Sequence, residues 1–535
     1  MRNTQVTSSL RGGVTQIRAY TNHLTLKRTW LISALRHFYL GSCSERIGIE
    51  QLIDRHKILK SILWSVLENG SLTVVSFFSL IIFAKFLAPN DFGIYSVALA
   101  IVEVVGILSN MLFHDALIQR ADASDAHFNS AFTVSILLSV VVCGALWMGF
   151  PALSPLVGDQ RLGDVGRVMG LGLLVSGPVS ILMARQMKEF GFRLLALRTL
   201  AGRISGAALG IIAVFLGYGL WSLVVQYLAM TILGAVTLML LSPWRLRLTS
   251  DMRPARELFR FGITSVASQL VNFSTKRVYV VCVGIFLGLE NAGYFNLAFR
   301  LIDTVWSVLS TAIMQVALPS MSRLQAEKVR LARAYMDSVT LSCTTLYPLF
   351  IGIGALAPEI VELCFGRKWL RSSELMFALS LLVITQASRL IIPPLLIATG
   401  RVVALGIINV SGFFYMIVAI ALSRLSSPDI AVAVWMGCEV VYFVISLFMV
   451  SRSQVNITEH LGRMAMPLLA SASMVVSIWL VRTVLPVDLA LSLKAFALFL
   501  CGAATFIGFI SVLDRAAVRA IVGLVKPVLN RPQEL

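Results

Sequence analysis

Charge is scarce in this chain: Asp, Glu, Lys and Arg make up 13% of its 535 residues, against roughly 25% in a soluble domain. That scarcity excludes a water-soluble enzyme, and a hydrophobic content of 57% excludes a disordered chain. The dipeptide Gly-Lys is missing altogether, so the chain has no GxxxxGK loop to cradle a nucleotide and is no ATP-driven pump by itself. The seven cysteines include no CxxC and lie mostly within or beside apolar stretches. They exclude a disulfide framework and read as small apolar filler. The six histidines show no ligand spacing, so neither a metal nor another cofactor is expected. No joint between apolar stretches exceeds about twenty residues. That leaves no room for a catalytic domain outside the membrane, and an enzyme is not expected.

What is present is apolar and long. Mean hydropathy is +0.84, and between Ile58 and Ala516 short polar joints separate apolar stretches about 18–28 residues long. Each suffices to cross roughly 30 Å of hydrocarbon at 1.5 Å per residue. Fourteen such stretches predict an all-α polytopic membrane protein. The net charge of +18 is sorted by joint. One alternate set holds Arg185, Lys188, Arg193 and Arg198, then Arg245 to Arg260, then Arg323 to Arg333. The other holds little beyond Lys85, Arg161, Arg424 and the run Arg367, Lys368, Arg371. The positive-inside bias makes the first set cytoplasmic, together with both termini. Basic charge is therefore a topology signal, and no nucleic-acid partner is expected. Residues 1–60 carry ten Lys and Arg and no acid before Glu45. They read as a basic cytoplasmic tail, with a targeting leader or a start-site error as the other readings.

The chain resembles itself at a displacement of 200. Phe86-Leu-Ala-Pro-Asn-Asp-Phe-Gly lies over Phe286-Leu-Gly-Leu-Glu-Asn-Ala-Gly, with Gly93 on Gly293, Ala98 on Ala298, Val105 on Val305 and Glu103 on Asp303. Pro178 precedes Arg185, and Pro394 precedes Arg401, by the same spacing. Prolines inside spans kink helices, and interrupted helices at matching places in two halves point to a transport site. The displacement covers an even number of spans, so the halves are parallel. The expected architecture is an N-lobe of six helices (61–244), a C-lobe of six (256–452), two added helices (462–514) and a cytoplasmic tail (515–535).

Ionisable groups inside spans are costly and usually face a cavity or a partner. Three spans arrange polar residues at helical spacing: Ser96, Glu103, Asn110 and His114; Ser265, Gln269, Asn272, Lys276 and Tyr279; and Asn296, Arg300, Asp303, Ser307 and Ser310. Such stripes suggest a water-filled chamber lined by both halves. Lys276 and Arg389, deep and without an acid nearby in sequence, are the strongest candidates. Arg300 and Asp303 are placed to pair with each other. Glu103 and Asp303 read as ion-coupling groups or as members of structural pairs. Arg203, Arg482 and Lys494, near span ends, are expected to snorkel to the interface. Pro178 and Pro394 are the expected kinks.

Several segments resemble a known family. Phe83-Ala-Lys-Phe-Leu-Ala-Pro-Asn-Asp-Phe-Gly-Ile-Tyr, Ala116-Leu-Ile-Gln-Arg, Gly219-Leu-Trp-Ser-Leu-Val, Ser242-Pro-Trp-Arg and Gly293-Tyr-Phe-Asn-Leu-Ala resemble recurrent pieces of the polysaccharide (Wzx-type) flippase branch of the multidrug/oligosaccharidyl-lipid/polysaccharide exporter superfamily. The likeness runs from about Trp64 to Gly400. It implies two parallel six-helix lobes around a cationic cavity working by alternating access. The implied cargo is a polyprenyl-pyrophosphate-linked oligosaccharide, crossing a bacterial inner membrane for exopolysaccharide or lipopolysaccharide biosynthesis. Implied partners are this lipid-linked oligosaccharide, membrane lipids, and polysaccharide polymerase and export proteins. Lys276, Arg277, Arg300 and Arg389, with Asn272 and Asn296, are the implied cavity residues, meeting pyrophosphate and sugar through charge-assisted hydrogen bonds. The chain departs from its relatives at Thr275-Lys-Arg-Val-Tyr, where they often carry an acid. The alternatives are an ion-coupled multidrug exporter of the same superfamily, which would favour acidic and aromatic groups, a membrane-embedded polymerase or glycosyltransferase, and a scaffold without transport activity.

Overall fold

The computed structural model of the chain describes residues 75–513 except 190, 453, 454 and 487, and within helices all side chains but those of 268, 272, 316 and 402. Both predicted tails, most of the first span before Val75, and the Asn272 side chain lie outside the described residues.

Among the described residues all regular structure is helical. The first lobe comprises α1 (Val75–Phe86), α2 (Pro89–Met111), α3 (His114–Gln119), α4 (Asp125–Val157), α5 (Arg161–Gly170), α6 (Gly172–Lys188), α7 (Phe192–Phe215) and α8 (Trp221–Leu241). The second comprises α9 (Arg253–Leu287), α10 (Leu289–Arg323), α11 (Lys328–Ala355), α12 (Ala357–Phe365), α13 (Arg371–Ser380), α14 (Val383–Arg389), α15 (Ile392–Ala398), α16 (Val402–Ser423) and α17 (Pro428–Ser451). Two further helices follow, α18 (Ile457–Val484) and α19 (Leu491–Leu513). Eleven helices among the described residues are long and apolar enough to cross a membrane, or up to 13 when each bent pair counts as one span. The protein is thus a multi-pass membrane protein of two repeated lobes.

Helix boundaries follow local chemistry. Pro89 and Pro428 occupy first turns, where a missing N–H costs nothing. Ser427 and Asn456 cap their helices through side-chain oxygens accepting from Ile430 N and Thr458 N. The first proline-marked span breaks away from its proline, whereas the second is also interrupted at Leu390–Ile391, just before Pro393 and Pro394. The α5–α6 break falls at Leu171, and Pro178 lies inside continuous α6. In the second lobe the chain bends by 40° between α13 and α14, and Pro394 sits in the first turns of α15. A further 49° bend divides α9 between Val271 and Phe273.

The repeat is visible as a physical crossing. A Cβ added to Gly93 would overlap the carbonyl oxygen of Leu289, and one added to Gly293 would overlap that of Pro89. The two contacts are images of each other at the displacement of 200. The N-terminal turns of α2 and α10 therefore touch backbone to backbone, which only glycine permits. Beside the crossing, Lys368 donates to the carbonyls of Lys85 and Leu87 at 2.8 and 2.9 Å, and Trp369 Nε1 to that of Ala84 at 2.9 Å. Orphan carbonyls at the end of α1 are thereby capped from the other lobe. On the same face Arg161 bridges Asp91 and Asp159. Burial raises the Asp159 carboxyl, but hydrogen bonds from Arg161 and Asn90 outweigh it and hold the group below its ordinary value.

At the other ends of the spans, the first half of α9 leans on the first lobe. Leu258 and Val266 pack with Leu112, Phe113, Leu117 and Phe128. Glu257 accepts from Arg120 at 2.7 Å, with His127 Nε2 at 3.5 Å. The Arg120 hydrogen bond, with that of His127, keeps the Glu257 carboxyl below its usual range. Ser265 and Gln269, expected in the chamber, instead bond Asp115 at this contact.

The glycine crossing generates a prediction. Gly93→Val or Gly293→Val should cost more than the ~1–3 kcal/mol of ordinary overpacking, because the obstacle is backbone. Thermal melting of detergent-solubilised protein should show a sharp loss for either variant. Gly144→Ala, which meets nothing within 4 Å, should melt like the parent.

Candidate functional site

Between the lobes lies a cavity of about 590 Å³, walled by α1, α2, α7, α8, α9 and α10. α2 and α10 line it because the face that meets its partner at the glycines continues down each helix. Ser96 and Glu103 on α2, and Asn296, Arg300, Asp303 and Ser307 on α10, all reach it. Four basic side chains, Arg203, Lys276, Arg277 and Arg300, face two acids, Glu103 and Asp303.

The acids are divided between two successive residues of α9. Lys276 pairs with Asp303 of its own lobe, and Arg277 pairs with Glu103 across the lobe boundary. Adjacent helical residues point about 100° apart, so one Lys-Arg dipeptide serves both repeats. The Lys276 ammonium also lies 4.2 Å from the Phe299 ring centroid, within cation–π range. Phe299 in turn packs edge-on against Trp435 and Tyr279. Tyr279, predicted to face the chamber, is instead core, its hydroxyl donating to the Ala431 carbonyl at 2.8 Å.

Arg203 and Arg300 have no ion-pair partner among the described residues. Arg203 donates to Ser76 Oγ at 3.3 Å. It lines the cavity instead of reaching for the interface, as expected from its place near a span end. Arg300 does not pair with Asp303, which Lys276 has taken. Among the described residues the cavity thus keeps two uncompensated cations, one from each lobe. Tyr95, Gln226 and Tyr227 add polar groups to the wall; no periodic signal in their apolar stretches marked them.

Arg389 lies elsewhere. Its guanidinium donates to Glu439 at 2.8 Å and sits 5.1 Å from the Tyr442 ring centroid. The Tyr442 hydroxyl meets Thr275 Oγ1 at 3.4 Å, so this pair is linked to an α9 side chain one residue before Lys276. Arg482 likewise does not snorkel. It bonds the Glu359 carboxylate at 2.7 Å and the Ala355 carbonyl at 2.6 Å, tying α18 to the second lobe.

Comparison with known proteins bears on the fold and the family. The chain is 25% identical over 317 residues to the succinoglycan biosynthesis transport protein ExoT of Rhizobium meliloti, covering 59% of this chain and 64% of that one. It is 20% identical to the teichuronic acid biosynthesis protein TuaB of Bacillus subtilis, over 64% of this chain and 72% of TuaB. It is 21% identical to the lipopolysaccharide biosynthesis protein WzxC of Escherichia coli, over 59% and 64%. The matches thus span a little under two thirds of ExoT and WzxC. Among solved structures, the lipid II flippase MurJ in an inward closed conformation superposes with a TM-score of 0.72 at 14% identity, covering 86% of this chain and all of MurJ. An inward-facing multidrug-resistance transporter of the MATE family superposes at 0.55 and 14% identity, over 73% of this chain and 98% of that one. At these identities the two structures speak to the fold. The family model described as polysaccharide biosynthesis protein matches residues 82–374, more than half of the chain, which therefore belongs to the polysaccharide biosynthesis protein family.

Proposed function

We propose that the protein is a flippase for polyprenyl-pyrophosphate-linked oligosaccharide units, carrying them across a bacterial inner membrane from the cytoplasmic to the outer leaflet. The observation that carries this reading is the pair of uncompensated guanidinium groups, Arg203 and Arg300, in a polar cavity between repeated lobes. A pyrophosphate is the kind of dianion two such forks accept through charge-assisted hydrogen bonds. The sugar would meet Asn296, Gln226 and Ser96, and the polyprenyl tail would remain in the bilayer. With both termini cytoplasmic, the basic face is the loading side. A drug exporter for cations is the weaker reading, because bases outnumber acids in the cavity.

Alternating access needs an element with two arrangements and a ligand that binds them unequally. The Arg277–Glu103 pair joins the lobes at the cavity. An arriving pyrophosphate competes with Glu103 for Arg277 and with Asp303 for Lys276, weakening that junction while the anion itself spans Arg203 and Arg300. Release on the far side lets the ion pairs re-form. No catalytic group is assigned, and polymerase and export proteins would act on the delivered unit.

Lipid extracts from cells lacking the chain, analysed by mass spectrometry, should contain trapped complete oligosaccharide units while surface polymer falls. Normal pools and normal polymer in such cells would discard the flippase reading. Complementation separates residue roles. Arg203→Ala and Arg300→Ala should reach the membrane at normal levels yet lose tenfold or more of export, since each removes charge-assisted bonds worth ~1.5–3 kcal/mol. Full export by both variants would sink the anion-cavity assignment.

Arg389→Ala should behave differently. It strands the Glu439 carboxylate, which is 6% exposed, and breaking a buried pair costs ~3–5 kcal/mol. Membrane level and melting temperature should fall together, and Arg389→Ala combined with Glu439→Ala should recover part of both.

A further inference from the structure

The two lobes supply an internal comparison at their basic face. In the first lobe the end of α6, the start of α4 and the chain leaving α8 meet around Arg185. This guanidinium pairs with Asp125, the first residue of α4, at 2.8 Å and with Glu189 at 3.0 Å. The Trp244 ring covers it, and Trp244 Nε1 donates to Glu189 at 3.0 Å. Arg185 is only 6% exposed. Its charge is matched, and the corner is closed.

The same three elements meet in the second lobe. Arg401 stands to Pro394 as Arg185 stands to Pro178. Lys328 is the first residue of α11, as Asp125 is of α4. Arg452 follows α17 where Ser242 follows α8. Here the corner is open, a pocket of about 410 Å³ lined by Lys328, Arg401 and Arg452 beside Gln325, Thr399 and Leu395. Where the first lobe places a carboxylate against its arginine, the second places a lysine. No acid is among the described lining residues. Arg401 already has a partner, so the charge left for a ligand belongs to Lys328 and Arg452. Neither forms an ion pair among the described residues. The Arg452 guanidinium sits over the Phe448 ring, 4.8 Å from its centroid, a cation–π contact that favours its place beside the pocket.

We propose that this pocket binds a phosphate-bearing anion. It lies where α11 begins and where α15 and α17 end, at the level of the span ends, where lipid headgroups meet water. Its wall also includes Leu331, Leu395 and Val455, so a ligand with apolar surface next to its phosphate fits better than a bare ion. The headgroup of an anionic membrane lipid meets both conditions. The pocket shares no lining residue with the cavity between the lobes and serves as a binding site separate from transport.

The test uses the full chain in detergent, with bound lipid counted by native mass spectrometry. Added phosphatidylglycerol should be retained in preference to phosphatidylcholine. Arg452→Gln should weaken that retention about tenfold, the change expected when a charge-assisted hydrogen bond is lost. Lys328→Asp should do the same by recreating beside Arg401 the acid that closes the first lobe. Arg256→Gln, on the same face outside the pocket, should change nothing. Melting temperatures equal to the parent's would show that all three variants fold. Displacement by millimolar inorganic pyrophosphate, weakened by the same two variants, would keep the phosphate site and make a soluble phosphate its source. Equal retention of both lipids by the parent, or parental retention by both pocket variants, would overturn the proposal.

Discussion

Two facing walls of the cavity follow from one close approach, the crossing of α2 and α10 at Gly93 and Gly293. Two helices that touch backbone to backbone must present the same face to each other for several turns. Side chains three, seven and ten residues beyond each glycine then line the space that opens below the contact. On α2 these are Ser96, Ala100 and Glu103; on α10 they are Asn296, Arg300 and Asp303. The repeat therefore produces two similar walls, and divergence within it produces charge. Position seven carries a methyl group in one lobe and a guanidinium in the other. Position ten carries an acid in both, and each acid is answered by one member of the Lys276-Arg277 dipeptide.

Much of this plan was legible in the sequence, because apolar periodicity and a fixed displacement are local or repetitive signals. The displacement of 200 placed Gly93 over Gly293, and the charged stripe on α10 marked a wetted face. Choice of partner was not legible. Arg300 and Asp303 are neighbours on one helix surface, so pairing is the natural expectation. Lys276 reaches Asp303 first, from a helix whose position only the fold determines. Arg389 looked unpartnered, and Arg482 looked set to snorkel, for the same reason, since Glu439 and Glu359 come from other helices.

The one joint that resisted the positive-inside bias, around Arg367, Lys368 and Arg371, has a structural explanation. Lys368 is engaged with the terminal carbonyls of α1 and Arg367 with Glu362 at 2.8 Å. A cation at a helix C-terminus complements the macrodipole. Lys368 therefore serves the contact between the lobes, and the topology rule, which counts charges without asking what they touch, could not discount it.

The charge imbalance in the cavity carries a constraint on mechanism. An unmatched guanidinium facing a polar cavity leaves charge that a purely structural role would not need. Two of them, contributed by α7 of one lobe and α10 of the other, persist beside two acids that are already matched. An anion that neutralises both stabilises whichever arrangement brings the lobes' cationic walls together. Shifting a two-state equilibrium from 1:99 to 99:1 takes ~5.5 kcal/mol of differential binding, which is the order of a few charge-assisted hydrogen bonds. On the proposed function the same anion must then leave, and the Glu103 and Asp303 carboxylates would displace it, because each would regain a cation when the ligand departs. A cavity with no acids would hold its cargo; one with four matched pairs would not attract it.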